Sequence, residues 1–100
     1  MKEFKKDILY HLALGNLKYF MGSCKYYSIK EKRKALEELL KNVHSNWITK
    51  EEKEMLVLYY TENSFRELSN KYEIAWQNIA KKIKRVERDL INHYFLVLSK

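Results

Sequence analysis

The chain has 100 residues, of which 46% are hydrophobic and 33% are charged, and its formal net charge is +7. This composition is typical of a globular chain and excludes a disordered one, and the length fits one compact domain. With no proline and only two glycines, the chain lacks the turn residues that a protein of short strands requires. We therefore expect an all-α protein, and the basic charge favours nucleic acid or an anionic surface as its partner.

Further classes of protein are excluded by motifs that the sequence lacks. Cys24 is the only cysteine, and no Cys/His pair has the spacing of zinc ligands, so we expect neither an internal disulfide nor a metal site. Residues 1–7 are mostly charged or polar, and no apolar run approaches the roughly 18 residues of a membrane span. No phosphate-binding loop, nucleophile elbow or paired-carboxylate motif is present. We expect a cytoplasmic protein that is not an enzyme and binds no cofactor.

The first half of the chain, residues 1–46, is predicted to form two helices. Apolar residues recur at spacings of three and four over residues 3–24, which predicts one long helix with an interruption, and room for a kink, at Gly15 and Asn16. Ser28 and Glu31 have the spacing of a capping box, which predicts the start of a second helix. We interpret this half as a helical extension used for packing or for dimerisation.

The second half, residues 47–100, is predicted to contain three helices. Thr49 with Glu52 and Ser64 with Glu67 are two further capping boxes, and they begin a third and a fourth, short helix. A fifth helix starts near Ala75 and extends towards residue 98. Its apolar stripe is Ile79, Ile83, Val86, Leu90 and Tyr94.

A short helix, a tight turn and a long helix together give the shape of a helix-turn-helix, in which the second helix enters the major groove of DNA. The turn is predicted at residues 72–74, where Ile74 can plug the space between the two helices. Residues 75–88 hold five basic residues and one acidic residue. The residues that pack the short helix against the long one are Phe65, Leu68 and Tyr72. The face of the long helix opposite its apolar stripe offers Gln77, Asn78, Lys81, Lys82 and Arg85.

These segments resemble region four of bacterial sigma factors over residues 48–90. The acid-rich stretch after Ile48 and Thr49 resembles that family's leucine-threonine-acid-rich helix. Residues 64–69 (Ser-Phe-Arg-Glu-Leu-Ser) resemble its Ser-Leu-Arg-Glu-Ile-Ala helix, and Ile74 falls in its Gly-Ile-Ser turn. The first half does not resemble sigma region two. The layout is similar to small phage and mobile-element transcription regulators of the ArpU/RinA kind.

Two residues depart from the family pattern at the turn. Glu73 stands where the family usually has glycine, and a left-handed backbone there would cost about 1 kcal/mol, so we expect a differently shaped turn. Ala75 stands where a serine or threonine usually caps the recognition helix, which forgoes roughly 1 kcal/mol.

We predict a sequence-specific transcription regulator that binds double-stranded DNA, with the fifth helix in the major groove. Gln77, Asn78 and Lys81 are expected to approach base edges, since amides pair bidentately with adenine. The resemblance implies a phosphate contact near Ser64 and Arg66, at a helix N-terminus. Trp76 either contacts a sugar or a thymine methyl group or docks on the first helix. The predicted DNA-binding residues are Ser64, Arg66, Trp76, Gln77, Asn78, Lys81, Lys82 and Arg85.

The sequence leaves three further questions open. The basic run at residues 30–34 either reaches flanking phosphates or only keeps its helix solvated. A two-fold homodimer through the first helix and the end of the fifth would double the base pairs that are contacted. A rival function is an interaction module that binds RNA polymerase or another regulator through exposed aromatic residues, as interfaces enrich these side chains. Its candidate anchors are Tyr26, Tyr27, Trp47 and Trp76.

Overall fold

The computed structural model describes residues 2–43 and 48–98, and every regular element in these ranges is a helix. The prediction of an all-α fold is thereby confirmed. The residues 44–47, which include the candidate anchor Trp47, lie outside the described ranges. The helices are α1 (Lys2–Leu14), α2 (Leu17–Ser23), α3 (Ile29–Lys41), α4 (Lys50–Thr61), α5 (Phe65–Tyr72) and α6 (Trp76–Leu98).

The described part of the chain has six helices and not about five, because the first predicted helix is divided in two. Gly15 adopts a left-handed backbone with φ of +79°, which ends α1. Asn16 is also non-helical and serves as the N-cap residue of α2. The apolar residues on the two sides of this break still face one core, so their periodicity alone could not separate a kink from a complete break.

All three predicted capping boxes are present. Ser28, Thr49 and Ser64 each accept a hydrogen bond from the backbone N–H three residues later, and the glutamate at that position accepts one from the N-cap backbone. These reciprocal bonds satisfy amide groups that a helix N-terminus otherwise leaves without partners. They fix the start of α3, α4 and α5.

Two groups of buried side chains hold the helices together. We call the first the large core, and it joins both halves of the chain. Its members are Phe4, Ile8, Leu9, Leu12, Leu17, Met21, Ala35, Leu36, Leu39, Leu40, Val43, Ile48, Leu56, Val57, Tyr60, Val86 and Leu90. The second, which we call the helix-turn-helix core, consists of Met55, Leu68, Ile79 and Ile83. The proposed segments 1–46 and 47–100 therefore share one core.

Lysine side chains also connect helices that are distant in sequence. Lys32 is only 9% exposed, and its Nζ donates to the Met21 carbonyl at 2.7 Å, near the end of α2. Lys18 on α2 donates to the carbonyls of Tyr59 and Asn63, at the end of α4. The bonds to Met21 and Tyr59 satisfy carbonyl groups in the last turns of α2 and α4, where positive charge is favoured. The middle of the basic run at residues 30–34 thus has a structural role.

The turn between α5 and α6 corrects the expectation about its shape. Glu73 adopts the left-handed conformation, with φ of 56° and ψ of 41°, although it has a side chain. The Ser69 carbonyl accepts the N–H groups of Glu73 and Ile74, and the Ser69 hydroxyl donates to the Ile74 carbonyl at 2.6 Å. These bonds hold the turn in the left-handed geometry that glycine would adopt more easily.

Candidate nucleic-acid interface

Helix α6 has a buried stripe and an exposed stripe with the same spacing. Ile79, Ile83, Val86 and Leu90, at intervals of four, three and four residues, are at most 1% exposed. The exposed stripe follows the same intervals and lies two residues earlier, which is about 200° around a helix of 3.6 residues per turn. We call it the outward face, and it consists of Gln77, Lys81, Lys84 and Arg88.

The basic residues of α6 fall into two groups by their ion pairs. Lys82 and Arg85 both approach the carboxylate of Glu52 on α4. Within residues 2–43 and 48–98, no carboxylate lies within 4.0 Å of the charged atoms of Lys81, Lys84 or Arg88. The outward face therefore presents to solvent one amide and three positive charges that have no ion-pair partner within 4.0 Å in the described ranges.

Glu52 has the most buried carboxylate in this region, since its side chain is only 3% exposed. The backbone N–H and the hydroxyl of Thr49 donate to its Oε1, each at 3.1 Å. Its Oε2 accepts from the Arg85 guanidinium and lies 4.0 Å from Lys82 Nζ. Burial opposes ionisation, but the bonds from Thr49 and the charges of Arg85 and Lys82 outweigh it, and the pKa of Glu52 is lowered.

The start of α5 lies near Lys84 and Glu87 of α6, whereas Glu52 of α4 lies beside Lys82 and Arg85. Phe65, the first residue of α5, lines a small cavity of about 230 Å³ together with Lys18, Lys84 and Glu87. The outward face of α6 is thus bordered by the N-terminus of α4 on one side and by the N-terminus of α5 on the other. A helix that enters a groove of DNA needs such borders, because a phosphate backbone runs along each side of the groove.

The two predicted site residues at the start of α5 differ in their availability. The Ser64 hydroxyl accepts the Glu67 N–H at 3.2 Å, so it is engaged in the cap of its own helix. Arg66 is exposed, and within the described ranges its side chain makes no ion pair. Of these two residues, Arg66 is the one whose side chain can extend towards a phosphate.

The first turn of α6 is open to solvent. Gln77 and Asn78 are exposed, and Trp76 is 55% exposed and belongs to neither core. The Trp76 side chain is therefore available at the surface. The Ala75 carbonyl accepts the N–H groups of Asn78 and Ile79, which makes Ala75 the N-cap residue of α6 without a capping side chain.

Lys84 and Arg88 were not among the predicted site residues. The predicted residues lie near the start of the helix and end at Arg85. The signal was available, because the spacing of the buried residues from Ile79 to Leu90 implies the complementary exposed stripe. Arg85 differs from these two residues, because its charge is shared with Glu52.

Neither metal nor membrane chemistry is indicated by the described residues. They contain no group of three or more histidine, cysteine or carboxylate side chains that could hold a metal ion. No helix among them has both the length and the apolar character needed to cross a bilayer.

Comparison with known proteins supports the helix-turn-helix. Residues 30–98 match the model of the UPF0122 family, which is described as YlxM/p13-like helix-turn-helix proteins. The match extends from the first turn of α3 to the end of α6 and covers more than half of the chain. In the same comparisons, no curated protein and no solved structure matches this chain. The chain belongs to the UPF0122 family of YlxM/p13-like helix-turn-helix proteins.

Proposed function

We propose that this protein is a sequence-specific DNA-binding transcription regulator that places the outward face of α6 in the major groove. The observation that carries the proposal is the pair of stripes on α6, of which one is buried and one is exposed. The exposed stripe contains three basic residues that have no ion-pair partner in the described ranges. A helix packed in this way is rigid on its inner side and complementary to DNA on its outer side. Membership of a helix-turn-helix family supports the same proposal at a coarser level.

The proposed contacts divide between base edges and phosphates. Gln77, Asn78 and Lys81 are exposed on the first turns of α6, where side chains of a recognition helix reach base edges. Lys84 and Arg88 continue this face. We assign Arg66, near the start of α5, to a flanking phosphate. Lys82 and Arg85 of α6, which lie beside Glu52 of α4, are assigned to flanking phosphates as well. We assign to Trp76 an apolar contact with a sugar or a thymine methyl group.

The proposal is tested by selecting bound DNA from a random library at two salt concentrations. A sequence motif that is enriched at both concentrations is the expected result, because base contacts persist when phosphate contacts are screened. Recovery of DNA at low salt without an enriched motif would contradict sequence-specific recognition. Absence of any DNA binding at low salt would contradict the whole proposal.

A pair of double variants with equal charge changes tests the assigned surface. Replacing Lys81 and Lys84 by alanine is expected to weaken binding to the selected DNA about tenfold or more, since contacts of this kind contribute about 1–3 kcal/mol each. Replacing the exposed Lys30 and Lys34 by alanine removes the same charge from α3 and serves as the control. Equal losses in both variants would contradict the assignment of the outward face as the DNA-binding surface.

We also propose that the protein binds DNA as a two-fold homodimer through α1 and the end of α6. Tyr10, Leu14 and Phe95 are 62%, 57% and 64% exposed, and Phe95 lines a shallow cavity together with Ala13 of α1. Pairing of these surfaces would bury apolar area and present two recognition helices. Light scattering at micromolar concentration is expected to give twice the monomer mass, and a monomeric mass would contradict this part of the proposal.

A second candidate function is an interaction module that binds RNA polymerase or another regulator. The exposure of Tyr26, at 94%, and of Trp76, at 55%, favours it, whereas Tyr27 stacks on Phe4 at 4.0 Å and is less available. Binding to purified RNA polymerase at high salt, with no DNA binding at low salt, would favour this candidate over the first. For either function we propose a cytoplasmic protein. If the first candidate holds, we further propose that the protein is a transcription regulator of the phage and mobile-element kind.

A further inference from the structure

An acidic residue lies where the proposed interface should be basic, and it is almost completely buried. Glu52 is the third residue of α4, and its carboxylate serves two helices at once. One oxygen completes the capping box with Thr49, and the other accepts from Arg85 of α6 across 33 positions of sequence. A capping box needs only the first of these bonds, so the second calls for a different explanation.

Arg85 is held by Glu52 but remains open to solvent. Its side chain is 42% exposed, and the donor to Glu52 is Nη2. Its Nε is buried and has no hydrogen-bond partner among the described residues. A guanidinium has five N–H donors in a rigid planar fork, so one carboxylate oxygen leaves most of them unused. The exposed donors lie at the border of the outward face, on the α4 side.

We propose that Glu52 is a positioning residue for DNA binding, which holds the Arg85 guanidinium at the border of the outward face so that its remaining donors meet a DNA phosphate. The inference rests on the proposed function and adds to it a buried residue that does not touch DNA. Lys82, at 4.0 Å from the same carboxylate, is held on the same border.

The benefit of such an arrangement is conformational. An arginine that is already fixed loses less side-chain freedom when it binds. Immobilising a free side chain of this kind lowers the affinity by about two- to tenfold. The arrangement also makes a prediction of unusual sign. Removal of a negative charge near DNA should strengthen binding by electrostatics alone, whereas loss of the fixed guanidinium should weaken it.

The test compares Glu52→Gln with Glu51→Gln. The probe is a duplex recovered by the selection experiment, and the control probe is a mixed-sequence duplex of equal length. Glutamine at position 52 can keep the capping box but not the charge that holds Arg85. Glu51 is exposed, lies one residue away and makes no ion pair in the described ranges, so its variant carries the same change of charge alone.

For Glu52→Gln we expect a dissociation constant about two- to tenfold higher on the selected duplex, and a salt slope smaller by about 0.9, as for one lost phosphate contact. For Glu51→Gln we expect unchanged or tighter binding. In an Arg85→Ala background, Glu52→Gln should cause no further loss, because Glu52 acts through Arg85. A merely structural role would leave the salt slope unchanged and the loss additive.

Circular dichroism melts identify a temperature at which every variant is folded, and binding is measured there. Arg85→Lys provides a second variant that keeps the net charge and removes the planar fork, and it is expected to weaken binding in the same way. Binding of Glu52→Gln as tight as that of Glu51→Gln would overturn the inference while leaving the proposed function in place. Failure of the wild-type protein to bind either duplex would overturn both.

Discussion

The two cores of the protein differ in size and in what they support. The helix-turn-helix core has four buried residues and joins α4 and α5 to the first half of α6, beneath the outward face. The large core has 17 buried residues and holds the second half of α6, through Val86 and Leu90, against α1, α3 and α4. Helix α6 therefore belongs to both, with its first half in the helix-turn-helix core and its second half in the large core.

The N-terminal region contributes to the large core although it lies outside the family match. The family match begins at residue 30, yet α1 and α2 supply six side chains of the large core. Lys18 of α2 in addition satisfies carbonyls at the end of α4, immediately before the helix-turn-helix begins. The region outside the family match thus supports the region inside it.

The largest effect is expected from removal of residues 1–27, which keeps the Ser28 cap of α3. The six buried side chains that are lost each contribute about 1.5–3 kcal/mol, and their sum is comparable to the 5–15 kcal/mol that stabilises a whole domain. We expect residues 28–100 to show no cooperative thermal transition by circular dichroism. A cooperative transition would show that the helix-turn-helix core is sufficient and that the N-terminal region is a separable extension.

The second largest effect is expected from a leucine-to-alanine substitution made in each core, which compares what the two cores contribute. Leu36 in the large core and Leu68 in the helix-turn-helix core are both 0% exposed, and alanine at either is expected to reduce the free energy of unfolding by about 2–5 kcal/mol. DNA binding is then measured at a temperature where both variants are folded. Only Leu68→Ala should weaken it, because Leu68 packs α5 against the first half of α6.

If Leu36→Ala weakens DNA binding as much as Leu68→Ala, the two cores act as one unit. If neither variant changes the affinity, the proposed recognition helix is insensitive to its own local packing.

The sequence predicted most of the local structure, because the signals for helices are local. The three capping boxes and the apolar spacing of α6 follow from residues within four positions of one another, and all were confirmed. The outward face could have been predicted in full from the same spacing, although Lys84 and Arg88 were left out of it.

The contacts that organise the site are not local, and no pattern in the sequence indicates them. The pair of Glu52 with Arg85 joins residues 33 positions apart. Periodicity shows which face of α6 is exposed, but not which exposed cation meets a buried carboxylate of another helix. The turn was predicted wrongly for a related reason. The cost of a left-handed Glu73 was judged without the bonds from Ser69 that hold it.

A reciprocal pair of substitutions compares the left-handed residues of the two regions. Glu73→Gly relieves the strained backbone and is expected to stabilise the protein by about 1 kcal/mol, whereas Gly15→Ala introduces strain at φ of +79° and should destabilise it by about 1 kcal/mol. No atom lies within 4 Å of a Cβ added at Gly15, so only the backbone conformation matters there. Each change corresponds to roughly 4–8 °C in Tm.

Glu73→Ala is the control for this pair, because alanine keeps the strain of a left-handed residue and should leave Tm close to the wild-type value. If Glu73→Gly gives no increase over Glu73→Ala, the turn is not strained, and the departure from glycine has no cost in this protein.

The smallest effect concerns the two glutamates that connect α4 with α6. At the end near the large core, Glu87 accepts a hydrogen bond from the Tyr60 hydroxyl. Burial raises the pKa of Glu87, against the effects of that bond and of the Lys84 charge, whereas the pKa of Glu52 is lowered. A carboxyl whose folded-state pKa is raised binds its proton more tightly in the folded protein, so it destabilises the fold as pH rises above the ordinary carboxyl pKa.

We therefore expect Glu87→Gln to be more stable than the wild type near pH 7, by less than about 1 kcal/mol because solvent screens a half-buried carboxylate. The advantage should vanish as pH falls to the ordinary carboxyl pKa, where Glu87 is protonated in the folded protein. For Glu52→Gln the sign is opposite: it should be less stable than the wild type near pH 7, and that deficit should shrink as pH falls through the lowered pKa of Glu52. Urea unfolding of both variants between pH 2 and pH 7 measures this, with exposed Glu37→Gln as the control. Parallel pH profiles for the two variants would show that the two ends of the α4–α6 contact are electrostatically equivalent, contrary to their different surroundings.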